Sequence, residues 1–171
     1  MIVLILIISL LALFYVYFGY PLIVLALSRL LADPVKKQPI QPKVTILIAA
    51  YNEAASIVAT IENKLALDYP REKLDIVVIS DGSTDATDAL VQQFSGYNVS
   101  LLRQDPRAGK TSALNLAVPQ AKGDILVFSD ANSLYDKEAL HQLVANFADH
   151  RVGYVTGKMI YTEADGTLSG D

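Results

Sequence analysis

Cysteine is absent from the 171 residues, which removes disulfides, thiolate metal sites and cysteine nucleophiles together and fits a cytosolic setting. Tryptophan is absent too, and there are only two histidines, His141 and His150. Both fall on or just after a helical pattern, without the spacing of metal ligands, and read as solvent-exposed. No Ser-His-Asp arrangement is legible. A basic excess is also missing: 14 Lys and Arg against 18 Asp and Glu leave a net charge of −4. A chain of this sign carries no stripe to track a phosphodiester backbone, so nucleic acid is excluded as a partner. Glu62, Lys64, Glu72 and Lys73 read as ordinary solvated surface charge.

Hydrophobicity is abundant and unevenly placed. From Ile2 to Ala32 the only charged side chain is Arg29. A helix rising ~1.5 Å per residue needs ~20 apolar residues to cross the hydrocarbon of a bilayer, so residues 1–32 predict a transmembrane anchor. A cleaved signal peptide would have a basic start and a shorter apolar core. A soluble core helix would not be apolar on every face. Gly19-Tyr20-Pro21 is a place where the helix can bend or break in two. Arg29, Lys36, Lys37 and Lys43 follow the run and no Lys or Arg precedes it, so the positive-inside rule puts the rest of the chain on the cytoplasmic side of a cell membrane. Residues 33–43, with Pro34, Pro39 and Pro42, predict an extended polar linker.

Residues 44–171 form the remaining domain. Short apolar runs rich in β-branched residues predict strands at Val44–Ala50, Leu74–Ser80, Val99–Arg103 and Ile125–Phe128. Helical spacing predicts helices at Ser56–Leu67, Thr84–Phe94, Thr111–Ala117 and Lys137–Ala148, with Ser83 or Thr84 as N-cap of the second. Two further strands are expected at Val152–Thr156 and Lys158–Tyr161. Strands alternating with helices predict an α/β fold: a mostly parallel sheet, right-handed crossovers and helices on both faces. Ligands bind outside the carboxyl ends of such strands. The polar clusters Tyr51-Asn52-Glu53, Asp81-Gly82-Ser83 and Asp130-Ala131-Asn132 all sit there.

Each cluster has two readings. Asp81-Gly82-Ser83-Thr84-Asp85 can be a turn with a helix cap, Gly82 taking a left-handed conformation and the hydroxyls and carboxylate accepting from free helix amides. Asp81 itself can instead take a donor from a uracil N3–H or a ribose hydroxyl. Asp130 and Asn132 can close an Asx turn, or their oxygens can hold Mg²⁺ or Mn²⁺ and so bridge a diphosphate. Gly109-Lys110-Thr111 is not a phosphate loop, because position 104 is Gln104 where that motif needs glycine and Pro106 lies inside it. Lys110, and more weakly Arg107, can still reach a diphosphate or a base carbonyl.

Taken in order, Val44-Thr45-Ile46-Leu47-Ile48-Ala49-Ala50-Tyr51-Asn52-Glu53, Val78-Ile79-Ser80-Asp81-Gly82-Ser83-Thr84-Asp85, Gly109-Lys110-Thr111-Ser112-Ala113-Leu114-Asn115 and Phe128-Ser129-Asp130-Ala131-Asn132 resemble glycosyltransferase family 2. These are inverting enzymes with a Rossmann-like GT-A nucleotide-sugar-binding fold, and they include cellulose, chitin and hyaluronan synthases. The resemblance runs from about Val44 to Tyr161. It implies that Ala50, Tyr51 and Glu53 line a nucleotide pocket, that Asp81 contacts the uracil or ribose, and that Lys110 lies near the base or diphosphate. Asp130 and Asn132 take the family's Asp-x-Asp position beside ribose, diphosphate and a Mg²⁺ or Mn²⁺ cofactor. Asn132 departs from that motif and lacks the second full charge. The implied activity is transfer of a sugar from a nucleotide-sugar, expected to be a UDP-sugar, to a polysaccharide or lipid acceptor with inversion.

The family's catalytic base lies in a downstream Thr/Glu-Asp motif, followed by Gln-x-x-Arg-Trp. Asp165 and Asp171 lack those surroundings, so the base is expected beyond Asp171 and the chain is expected to be the donor half, completed by a C-terminal half or a partner chain. The alternative is a non-catalytic membrane-tethered nucleotide-sugar-binding subunit. A dehydrogenase is disfavoured, because Ala49-Ala50-Tyr51-Asn52-Glu53 lacks Gly-x-Gly-x-x-Gly.

Overall fold

The structure, a computed structural model, describes residues 1–160. It divides into two compact units, Met1–Val35 and Lys36–Asp171. In the first, α1 (Ile2–Phe14) passes through a wider turn at Tyr15–Gly19 into α2 (Tyr20–Leu30). Helical structure continues through Gly19-Tyr20-Pro21: the wider turn at Tyr15–Gly19 stands just before Pro21, the kind of local adjustment by which an apolar helix accommodates a proline. The 29 residues from Ile2 to Leu30 make one apolar helix long enough to cross a membrane, with none of its most apolar stretch buried.

The second unit holds a four-stranded parallel sheet in the order β3-β2-β1-β4, made of β1 (Val44–Ala50), β2 (Leu74–Asp81), β3 (Val99–Gln104) and β4 (Ile125–Asp130). β1 pairs with β2 from Val44 opposite Leu74 and with β4 from Val44 opposite Ile125. Alternate residues of β1 face opposite layers. Val44, Ile46 and Ile48 join Ile57 and Ile61 of α3 (Ile57–Leu65), Val91 of α4 (Thr87–Gln92) and Leu140 and Val144 of α6 (Ala139–Val144). On the other face Leu47 and Ile79 meet Ala113 and Ala117 of α5 (Lys110–Ala117). Small alanines let α5 pack directly on the sheet.

Three sequence expectations are corrected. Val152–Thr156 is not a strand, nor is the described part of Lys158–Tyr161, of which Tyr161 lies outside the described residues. The apolar alternation is present, but no strand edge meets that backbone, and a ladder needs a partner. The second helix begins at Thr87, with Ala86 as N-cap, rather than at Thr84, for a reason that belongs to the site below. Lys64 is not on the surface: it is fully buried, on the stripe Ile57-Thr60-Ile61-Lys64 that α3 turns inward.

The segment before β1 is tied to this unit from Lys36 onward. The Lys36 amide donates to Asp149 and the Gln38 amide to the Ala145 carbonyl, while the Tyr69 hydroxyl and Lys73 donate to the carbonyls of Pro42 and Gln41. Hydrogen bonds from Arg151, then that from Lys36, hold the Asp149 carboxyl well below the usual carboxylate range.

Candidate functional site

The chain builds β1, β2 and β3 outward in one direction and then returns to place β4 against the other side of β1. Adjacent crossovers therefore leave β1 on opposite sides, and a crevice opens at the carboxyl ends of β1 and β4. An open cleft of about 340 Å³ lies there, lined by Ala49, Ala50, Tyr51, Glu53, Asp81, Arg107, Lys110, Asp130, Ala131 and Asn132. It brings together all the residues singled out in the sequence: Ala50, Tyr51, Glu53, Asp81, Lys110, Asp130 and Asn132, with Arg107 beside them.

One wall is made by cross-linking the loops after β1 and β2. The Ser83 hydroxyl accepts from the Asn52 amide (3.2 Å), the Thr87 hydroxyl from the Glu53 amide (2.8 Å) and the Asp85 carboxylate from the Ala54 amide (3.1 Å). The Thr84 amide returns a bond to the Asn52 side chain (2.8 Å). These side chains engage the neighbouring loop, Asp85 also accepts from the Thr87 amide (3.0 Å), and α4 starts only at Thr87. Asn52 sits at φ 54°, and Gly82 at φ 68°. A Cβ on Gly82 would also stand 3.2 Å from the Arg107 amide nitrogen, so glycine is required there by both conformation and space.

Asp81 is 4% exposed, and three donors of the protein already reach it. Its Oδ1 accepts from the Gln104 side chain (2.6 Å) and the Ala108 amide (2.8 Å), and its Oδ2 from the Gly109 amide (2.9 Å), with Arg107 Nε 3.7 Å away. Burial opposes its ionisation. The bonds from Ala108, Gln104 and Gly109 and the charge of Arg107 outweigh that and hold the carboxyl below its ordinary value. Arg107 lies face-on over the Tyr51 ring at 3.7 Å, a cation–π contact that spans from the β1 loop to the β3–α5 loop.

The opposite wall follows β4. Asp130 is about half exposed and accepts from Lys110 Nζ across the cleft. Ala131 is buried and Asn132 exposed. Both acidic and amide side chains supply hard oxygens of the kind Mg²⁺ and Mn²⁺ prefer. No group of three or more His, Cys, Asp or Glu able to hold a metal occurs among the described residues. Two protein oxygens with the rest from phosphate and water is the usual way Mg²⁺ is held beside a nucleotide. The donor set fits.

Sequence reasoning missed the support behind this wall. Thr60 donates to the Ala131 carbonyl (2.7 Å), Lys64 to that of Ser133 (2.6 Å), and the Asn63 side chain bonds both the carbonyl (2.9 Å) and the amide (2.7 Å) of Tyr135. The available signal was periodicity, since Thr60 and Lys64 share the inward stripe with Ile57 and Ile61. Asp165 and Asp171 lie outside the described residues.

The fold and cleft have clear relatives. The family model described as Glycosyl transferase family 2 matches residues 45–170. A poly-beta-1,6-N-acetyl-D-glucosamine synthase of Staphylococcus aureus is 38% identical over 117 residues, covering 67% of this chain and 28% of that protein. Among solved structures, the mannosyltransferase PcManGT of Pyrobaculum calidifontis, in complex with GDP-Man and Mn²⁺, is 35% identical with a TM-score of 0.72, over 84% of this chain and 44% of its own. S. aureus TarS in complex with UDP-GlcNAc is 25% identical with a TM-score of 0.59, over 64% of this chain and 32% of its own. The chain thus spans less than a third of the length of the curated relatives it matches. A parallel α/β sheet with its cleft at the strand ends and a family match over most of its length make this chain a member of glycosyl transferase family 2.

Proposed function

We propose that this chain is the nucleotide-sugar-binding part of an inverting glycosyltransferase that takes a UDP-sugar and serves a polysaccharide or lipid acceptor at a membrane. The observation that carries the reading is the meeting of Asp130 and Asn132 with Lys110 and Arg107 in one cleft at the β1/β4 switch point. Oxygen ligands on one side and cations on the other suit a diphosphate, which needs both a metal and positive side chains to offset its charge. Asp130 and Asn132 would hold the divalent cation, whose charge offsets that on the departing diphosphate. Tyr51 and Ala50 offer the base a surface, Glu53 stands at the same wall, and Lys110 faces the diphosphate. Asp81 acts through the 104–109 loop that it organises. The helix over Ile2–Leu30 would anchor the chain, and Arg29, Lys36 and Lys37 would keep the domain cytoplasmic.

The reading is tested by titrating the full chain in detergent micelles with UDP, GDP and NAD, with and without Mn²⁺, by calorimetry. UDP binding that Mn²⁺ strengthens is the expected result. GDP binding in its place would change the base but keep the class. A folded sample that takes neither diphosphate, or that prefers NAD, would overturn it.

A further inference from the structure

A lysine ammonium removed from water is costly unless something replaces its hydration. Lys64 is 0% exposed, and no acidic side chain among the described residues forms an ion pair with it. Burial pushes its ammonium down to about 8. Its three donors have nonetheless a full set of neighbours. Nζ donates to the Ser133 carbonyl at 2.6 Å and to Asn63 Oδ1 at 3.1 Å, and it stands 3.6 Å from the centroid of the Tyr135 ring. A methionine or leucine would fill the same space on this stripe without the penalty, so packing alone does not explain the charge.

The position of those partners does. Thr60, Asn63 and Lys64 lie three and four residues apart, so α3 presents them as one face. That face meets the segment leaving β4, and it holds the carbonyls of Ala131, Ser133 and Tyr135 and the Tyr135 amide. The alternating residues Asp130 and Asn132 are left to point into the cleft. None of Thr60, Asn63 or Lys64 lines the cleft itself.

We propose that Lys64 is a positioning residue for Asp130 and Asn132: its buried ammonium, seated on the Ser133 carbonyl, fixes the backbone that aims both oxygens at a divalent cation. This rests on the donor-site reading above and adds a residue to it. A charged donor on a carbonyl is stronger than a neutral one, and a metal site held by only two protein ligands depends heavily on their mutual placement.

The test is Lys64→Met in the full chain in detergent micelles, titrated with UDP in the absence of metal and with Mn²⁺ at saturating UDP. Methionine keeps length and apolar bulk and removes only the donor head. Affinity for UDP without metal should stay within about twofold, and Mn²⁺ affinity should fall about tenfold, the scale seen when an outer support of a metal site is removed. Unchanged Mn²⁺ affinity in the folded variant would overturn the assignment, as would an equal loss of metal-free UDP binding, which would mark Lys64 as a general support of the fold. A Lys64→Met chain that fails to fold would overturn the assignment too, marking Lys64 as a general support of the fold. A wild-type chain with no Mn²⁺-dependent UDP binding would instead sink the donor-site reading, and the assignment with it.

Discussion

Two aspartates end two parallel strands on the same sheet, and they are used in opposite ways. Asp81 at the end of β2 is buried, with both oxygens bonded inside the protein. Asp130 at the end of β4 is about half exposed, and among the described residues its carboxylate pairs with Lys110 from across the cleft. In the first case the side chain is anchored and organises a loop around itself. In the second the backbone is anchored, from behind, and the side chain is left available. A strand-end carboxylate can therefore build a site or serve it, and the partners of its oxygens tell which.

Breaking the buried member should have the largest effect. Asp81→Ala leaves the amides of Ala108 and Gly109 and the Gln104 side chain without an acceptor, and thermal unfolding of the full chain should show a loss of about 3 kcal/mol, a drop of roughly 10 °C. The sign of the pH dependence follows from its lowered ionisation. The folded value lies below the ordinary 3.8, so the stabilisation is complete above pH 4 and disappears as pH falls through the folded value. The gap between wild type and Asp81→Asn should close over that acid range; a gap that persists would mean the charge is not what the loop needs.

Asp130→Ala is the converse. An exposed ion pair contributes little, so stability should change by less than about 1 kcal/mol, while Mn²⁺ enhancement of UDP binding should vanish in calorimetry. An unfolding shift as large as that of Asp81→Ala would erase the contrast. Asn132→Asp sharpens it: a second carboxylate should tighten Mn²⁺ by several-fold, and an equal affinity would place Asn132 outside the metal's reach. Lys64 supplies a test at alkaline pH. Its folded value near 8 against 10.5 unfolded means the wild type becomes relatively more stable as pH rises between those values. The difference in melting temperature between wild type and Lys64→Met should therefore shift in favour of the wild type from pH 8 towards pH 10.

The contrast also marks what could be read without coordinates. The four strands were legible to within two residues, since runs such as Ile76-Val77-Val78-Ile79, apolar on both faces, suit little but a covered parallel sheet. The convergence of the three polar clusters followed from that topology. What escaped was tertiary. Nothing local says that Ser83 and Asp85 bond the amides of residues 52 and 54, Asp85 while also accepting from the Thr87 amide at the start of its own helix. The alternation at Val152–Thr156 looks like a strand until no edge is found for it. Lys64 was misjudged because charge is taken to mean exposure, although its place three residues after Ile61 put it on the inward stripe.

The three side chains that seat the successive amides of Asn52, Glu53 and Ala54 have a thermodynamic consequence. An exposed loop normally surrenders conformational freedom when a ligand lands on it, at about 1–2 kcal/mol for each residue immobilised. Here that freedom was given up when the chain folded, and the amides of residues 52–54 should exchange with solvent as slowly as those of a strand. On the proposed donor-site reading, a nucleotide at this wall would find these residues already ordered, so less of its contact energy would be spent on ordering them.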